Sequence, residues 1–97
     1  MTNIEHYRSL TEVLFVTYKN KNEDYGDAFG KTCEMLGKLA AGYQLGVLNA
    51  KVSRITTLLT NDDKKENYES LEDSLLDLAS YAIMTIIERR KNHESIR

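Results

Sequence analysis

ESLEDSLLDLASYAIMTIIERRK, residues 69–91, decides the fold class. Leu71, Leu75, Leu78, Ala82 and Ile86 recur every three or four residues, the period of one helix face. The spacing predicts a terminal helix over 69–91 with that face on the core. Leu76, Ile83, Met84 and Ile87 project elsewhere on the same helix, so between Leu75 and Ile87 it is apolar around most of its circumference. Such a helix is buried on more than one side. In a chain of 97 residues the second side is expected to meet another subunit.

Upstream, NDDKKEN (residues 61–67) reads as a charged linker. Residues 30–60 are helical by period, with a short helix, a break near Gly37 and a long helix after it. In the long helix Leu45, Leu48, Val52, Ile55 and Leu59 alternate intervals of three and four, a seam for packing against another helix. At the start, Thr2 is an N-cap candidate, and Ile4, Tyr7, Leu10, Leu14 and Tyr18 predict a first helix over 3–18 with a one-sided apolar stripe. The polar stretch KNKNEDYGDAF, residues 19–29, reads as a loop with a turn near Gly26. The expectation is an all-α single domain over 1–97, a small bundle of about four helices completed by oligomerisation as a dimer or tetramer.

Composition narrows the function. The single Cys33 forms no internal disulfide, and with His6 and His93 at opposite ends it makes no zinc constellation, so neither metal nor cofactor is expected. No apolar run is long enough to span a bilayer and no signal pattern opens the chain, which points to the cytoplasm and away from a membrane partner. A net charge of −2 argues against long nucleic acid, whose binding needs an excess of Lys and Arg. It does not argue against a small nucleotide, which needs only a few local cations.

Three constellations carry chemistry. Glu69, Asp73 and Asp77 stand four apart and form one acidic stripe on the terminal helix, able to hold a divalent cation, to accept from a ligand's N–H groups, or to pair with Lys51 and Arg54. Lys51 and Arg54, three apart beside the apolar seam, suit a phosphate, which the Arg fork grips in bidentate fashion. In the 19–29 stretch, Lys21, Asn22 and Asp24 offer polar contacts, while Tyr25 and Phe29 can stack on a base or plug the end of the bundle. No phosphate-binding glycine loop and no serine–histidine pair appears.

KNEDYGDAF, KVSRITTLL and ESLEDSLLDLASYAIM together, in order and spacing, resemble the small bacteriophage family called nucleotide-modification-associated domain, first type. That family is distantly similar to the all-α nucleoside triphosphate pyrophosphatases, whose two acidic motifs on neighbouring helices hold magnesium. Here the helix from Lys38 to Thr60 carries no Asp or Glu, so the first motif is missing and no enzymatic activity is expected. Small helical phage proteins of this make-up also resemble viral sponge (anti-CBASS) proteins, which bind cyclic oligonucleotide signals of bacterial defence. The resemblance implies sequestration of a cyclic dinucleotide such as 3′3′-cyclic GMP–AMP in pockets between subunits. Tyr25 and Phe29 would lie on the bases, Lys51 and Arg54 on the phosphates, and Asp73 or Asp77 on a purine edge. The alternatives are a magnesium-dependent nucleotide pyrophosphatase or modification enzyme using Glu69, Asp73 and Asp77, and a helical protein-interaction module.

Overall fold

A computed structural model describes residues 1–61 and 66–96, with side chains for 1–61 and 70–94. Four α-helices run in order: α1 (Asn3–Tyr25), α2 (Ala28–Leu36), α3 (Ala40–Thr60) and α4 (Glu66–Ile96), with a 3-10 turn, Gly37–Leu39, between α2 and α3. The protein is all-α. None of these helices is long and apolar enough to cross a membrane among the described residues.

Thr2 opens α1 with a capping box: its hydroxyl accepts from the Glu5 N–H at 3.1 Å while its own N–H donates to the Glu5 carboxylate at 3.0 Å. The helix does not stop at Tyr18. It continues through KNKNEDY to Tyr25, so most of the stretch expected as a loop is helix. Polarity alone does not break a helix; Lys and Glu are good formers, and no glycine or proline interrupts before Gly26. Gly26 ends α1 at φ 74° and ψ −177°, a conformation essentially reserved for glycine, and its N–H donates to the Asn22 carbonyl at 2.9 Å. Asp27 then caps α2, accepting from the Gly30 N–H at 3.0 Å. Two residues therefore make the whole connection.

The core is small. Phe29 and Cys33 of α2 and Ala40 of α3 are buried, with Tyr43, Val47, Tyr81 and Met84 packed on them. Phe29 lies 5.7 Å from the Tyr43 ring and meets the Tyr81 ring edge-on at 5.4 Å, the arrangement aromatic quadrupoles favour. Further along α3, Ile55 is buried as well. Gln44 is buried too, its side-chain amide donating to the Cys33 sulfur at 3.5 Å.

The face that α4 turns inward is not the expected one. Ser74 and Glu88 are buried and Ser70, Asp77, Tyr81 and Met84 half-buried, a line at intervals of four and three. By contrast Leu75, Ala82 and Ile86 of the predicted core face are exposed, with Leu71 and Leu78 only half-buried. The reason is pairing: α4 offers α3 its hydrogen-bonding edge, which meets the cations of α3. The α3 seam divides likewise, with Ile55 buried and Leu48 half-buried while Leu45, Val52 and Leu59 face outward.

α1 lies against α4 through Leu14 and Tyr18, its two half-buried residues, and its first half, with Ile4 and Tyr7, is exposed. The molecule measures 48 × 28 × 26 Å with a radius of gyration of 15.5 Å, against about 13 Å for a compact chain of this length.

Phe29→Ala is expected to lower unfolding free energy by about 3–5 kcal/mol in a denaturant titration. Gly26→Ala should cost about 1–3 kcal/mol through backbone strain alone, since a Cβ there meets nothing closer than the Lys31 ammonium at 3.5 Å.

Candidate functional site

α1, α3 and α4 diverge around a cleft of about 660 Å³, floored by Phe29 and Tyr81. It lies within the range typical of small-molecule sites. Within one chain, α1, α2, α3 and α4 all contribute to its lining. From α1 come Lys21, Asn22 and Tyr25, which fall within an arc of about 100° around the helix. From α3 come Lys51 and Arg54, and from α4 Ser70, Asp73, Ser74, Asp77 and Ser80.

The sequence-predicted residues separate into distinct roles. Tyr25, 81% exposed, stands at the rim with its ring faces uncovered. Phe29, four residues on but beyond the Gly26 turn, is 5% exposed and locked between Tyr43 and Tyr81. It is a packing residue and is not available for stacking on a base. Asp24 is exposed and does not line the cleft. The Glu69 side chain lies outside the described residues.

Across the α3–α4 seam, Lys51 Nζ is 2.8 Å from Asp77 Oδ2 and sits 4.7 Å from the centre of the Tyr81 ring. The hydrogen bond that Lys51 donates to Asp77 raises the Lys51 pKa above its ordinary 10.5, opposed by partial desolvation. One of the three acids of the predicted stripe is thus neutralised by the predicted basic pair. Arg54 Nε donates to Ser74 Oγ at 3.2 Å. That bond orients the guanidinium along the cleft wall, and among the described residues nothing engages its terminal nitrogens. Asp73 is exposed, one turn from Asp77.

No group of three His, Cys, Asp or Glu among the described residues is placed to hold a metal ion. Lys51 Nζ occupies the side of Asp77 facing α3, where a cation shared between the two helices would bind. The residues that sequence reasoning missed are the serines: Ser70, Ser74 and Ser80 share the register of the acidic stripe. Their signal is the same spacing of three and four, which does not stand out because serine is common on solvated faces.

The arrangement can receive a flat group on Tyr25, an anion at Arg54 and Lys21, and N–H donors at Asp73. Helices enclosing a cleft lined by the exposed Tyr25, the cations Lys21 and Arg54, and the polar Asn22 and Asp73 define a small all-α protein with a polar, mixed-charge site. The chain belongs to the family described as nucleotide modification associated domain 1, which matches residues 21–88, from the first polar residue of the cleft to the buried Glu88. No curated protein and no solved structure matches it significantly.

Replacing Lys51 by Met should lower stability at neutral pH by about 1 kcal/mol or less, because both partners remain about one-third exposed. Since the folded-state pKa of Lys51 is raised, this stabilisation is complete below the unfolded-state value and is lost as pH rises through the folded one. Melting curves of the two proteins should therefore converge at pH well above 10.5.

Proposed function

We propose that this protein binds a small nucleotide in the α1–α3–α4 cleft and holds it without cleaving it. The observation that carries the proposal is the convergence, in one cleft, of the exposed Tyr25 ring and the end of the Arg54 guanidinium, whose terminal nitrogens no described residue engages. Stacking on a tyrosine is worth about 1–3 kcal/mol per base and does not depend on base identity. A guanidinium fixed at Nε presents its remaining N–H groups as a fork, and phosphate accepts such a fork in bidentate fashion. Lys21 on the opposite wall adds a second cation, and Asn22 and Asp73 supply the donors and acceptors that recognise a base edge.

The family description points the same way, toward nucleotides. A retained ligand is favoured over a cleaved one by the Lys51–Asp77 pair, which supplies to that carboxylate the positive charge that a catalytic magnesium would otherwise supply. Within the nucleotide class, the resemblance to viral sponge proteins names a cyclic dinucleotide, captured in the cytoplasm, as the ligand to test first.

Isothermal titration with 3′3′-cyclic GMP–AMP and with mono- and triphosphate nucleotides, with and without magnesium, tests this, with chromatography of the recovered ligand. The expected outcome is metal-independent binding of an intact nucleotide. Arg54→Ala should weaken it by about 1.5–3 kcal/mol and Tyr25→Ala by about 1–3 kcal/mol. Neither should change the helical circular dichroism, since both side chains are exposed. Absence of binding by every nucleotide contradicts the proposal; magnesium-dependent turnover replaces it with an enzyme.

A further inference from the structure

We infer that the face of the α3–α4 hairpin opposite the cleft is where a second copy of this chain packs, forming a symmetric dimer. At about 100° per residue, Leu45, Val52 and Leu59 form one line along α3, on the far side of the helix from Arg54. On α4, Leu75, Ala82 and Ile86 form a line on the far side from Asp73 and Asp77. The two helices are antiparallel neighbours, and the cleft residues of both lie on the α1 side of the hairpin. Both apolar lines therefore come out together on the opposite side. Leu45 (69%), Leu59 (58%) and Ile86 (51%) are more than half exposed there, and Val52 and Leu75 nearly half.

Area argues that this face is covered and indicates by what. A folded monomer of 11.1 kDa is expected to expose about 5,700 Å² by the scaling of surface with mass. This chain exposes 7877 Å². The excess, on the order of 2,000 Å² over the whole chain, is shared between the exposed first half of α1 and this face, and it leaves room for the roughly 1,000 Å² per subunit with which obligate homodimer interfaces, about 2,000–5,000 Å² in total, begin.

A second copy is the occupant because two flat, two-helix faces of the same kind are self-complementary. Packed about a twofold axis, two α3–α4 hairpins make a four-helix bundle whose interior is the leucine, valine and isoleucine that one chain leaves outside. Val52, midway along its line, falls near the axis. The two clefts then open on opposite outer sides of the bundle, each complete within its own chain, so assembly is independent of nucleotide.

Sedimentation velocity on the full chain without nucleotide should give a mass near twice 11.1 kDa. Ile86→Glu or Val52→Glu should shift it to the monomer, whereas a monomeric wild type, or variants that stay dimeric, would overturn the assignment. Because a separated monomer can lose helicity, a second pair of variants reads the face without disrupting it. Val52→Cys should form an intermolecular disulfide under mild oxidation, and Ala50→Cys, exposed on the other side of α3, should not. Cross-linking of both, or of neither, would refute the interface whatever the cleft binds.

Discussion

The rotation of α4 about its own axis governs the rest of the structure. It is fixed where Lys51 meets Asp77 at 2.8 Å, where Arg54 donates to Ser74 at 3.2 Å, and where Tyr81 lies under the Lys51 ammonium and against Phe29. Polar contacts of this exposure each contribute little net stability, about 1 kcal/mol or less. Their larger effect is on specificity, since turning α4 by half a revolution would strand Lys51 and Arg54 against leucines. With the hydrogen-bonding edge inward, the acidic stripe is brought to the basic pair and the leucine stripe is left outside. The cleft and the apolar face are two consequences of one angle.

The helical class was legible because four-residue intervals persist from Ile4 to Ile87. So was the interruption at Gly37, where α2 gives way to a 3-10 turn at φ 55°. The rotation of α4 was not. A helix apolar around most of its circumference has no preferred inner face that a period can reveal; the choice is made by partners on another element. KNKNEDY is helical where its polarity suggests a loop for a related reason: composition reports solvent exposure, and an exposed helix and a loop share it. Tyr25 and Phe29 looked equivalent in sequence, and only the glycine-specific turn between them explains why one faces solvent and the other is the centre of the core.

Among the site residues, the Lys-x-x-Arg pair and the acidic stripe were legible as neighbours, because each lies on one helix face and the two helices adjoin. Their distribution of charge was not. Only three-dimensional pairing shows that Lys51 and Asp77 neutralise each other, while among the described residues the terminal nitrogens of Arg54 and the Asp73 carboxylate keep capacity for a ligand. The cleft thereby changes from a strip of alternating charge into a graded site: an aromatic rim, a cationic wall and a hydrogen-bonding base. The match to nucleotide modification associated domain 1 spans these polar groups and suits that division.

The most direct measurement is an amide chemical-shift map of the isotopically labelled protein titrated with 3′3′-cyclic GMP–AMP. The account predicts perturbations clustered at Lys21, Asn22, Tyr25, Arg54 and Asp73, with Leu45, Val52 and Ile86 on the opposite face unmoved. Perturbations confined to that apolar face, or an unperturbed spectrum with this and every other nucleotide, would contradict it.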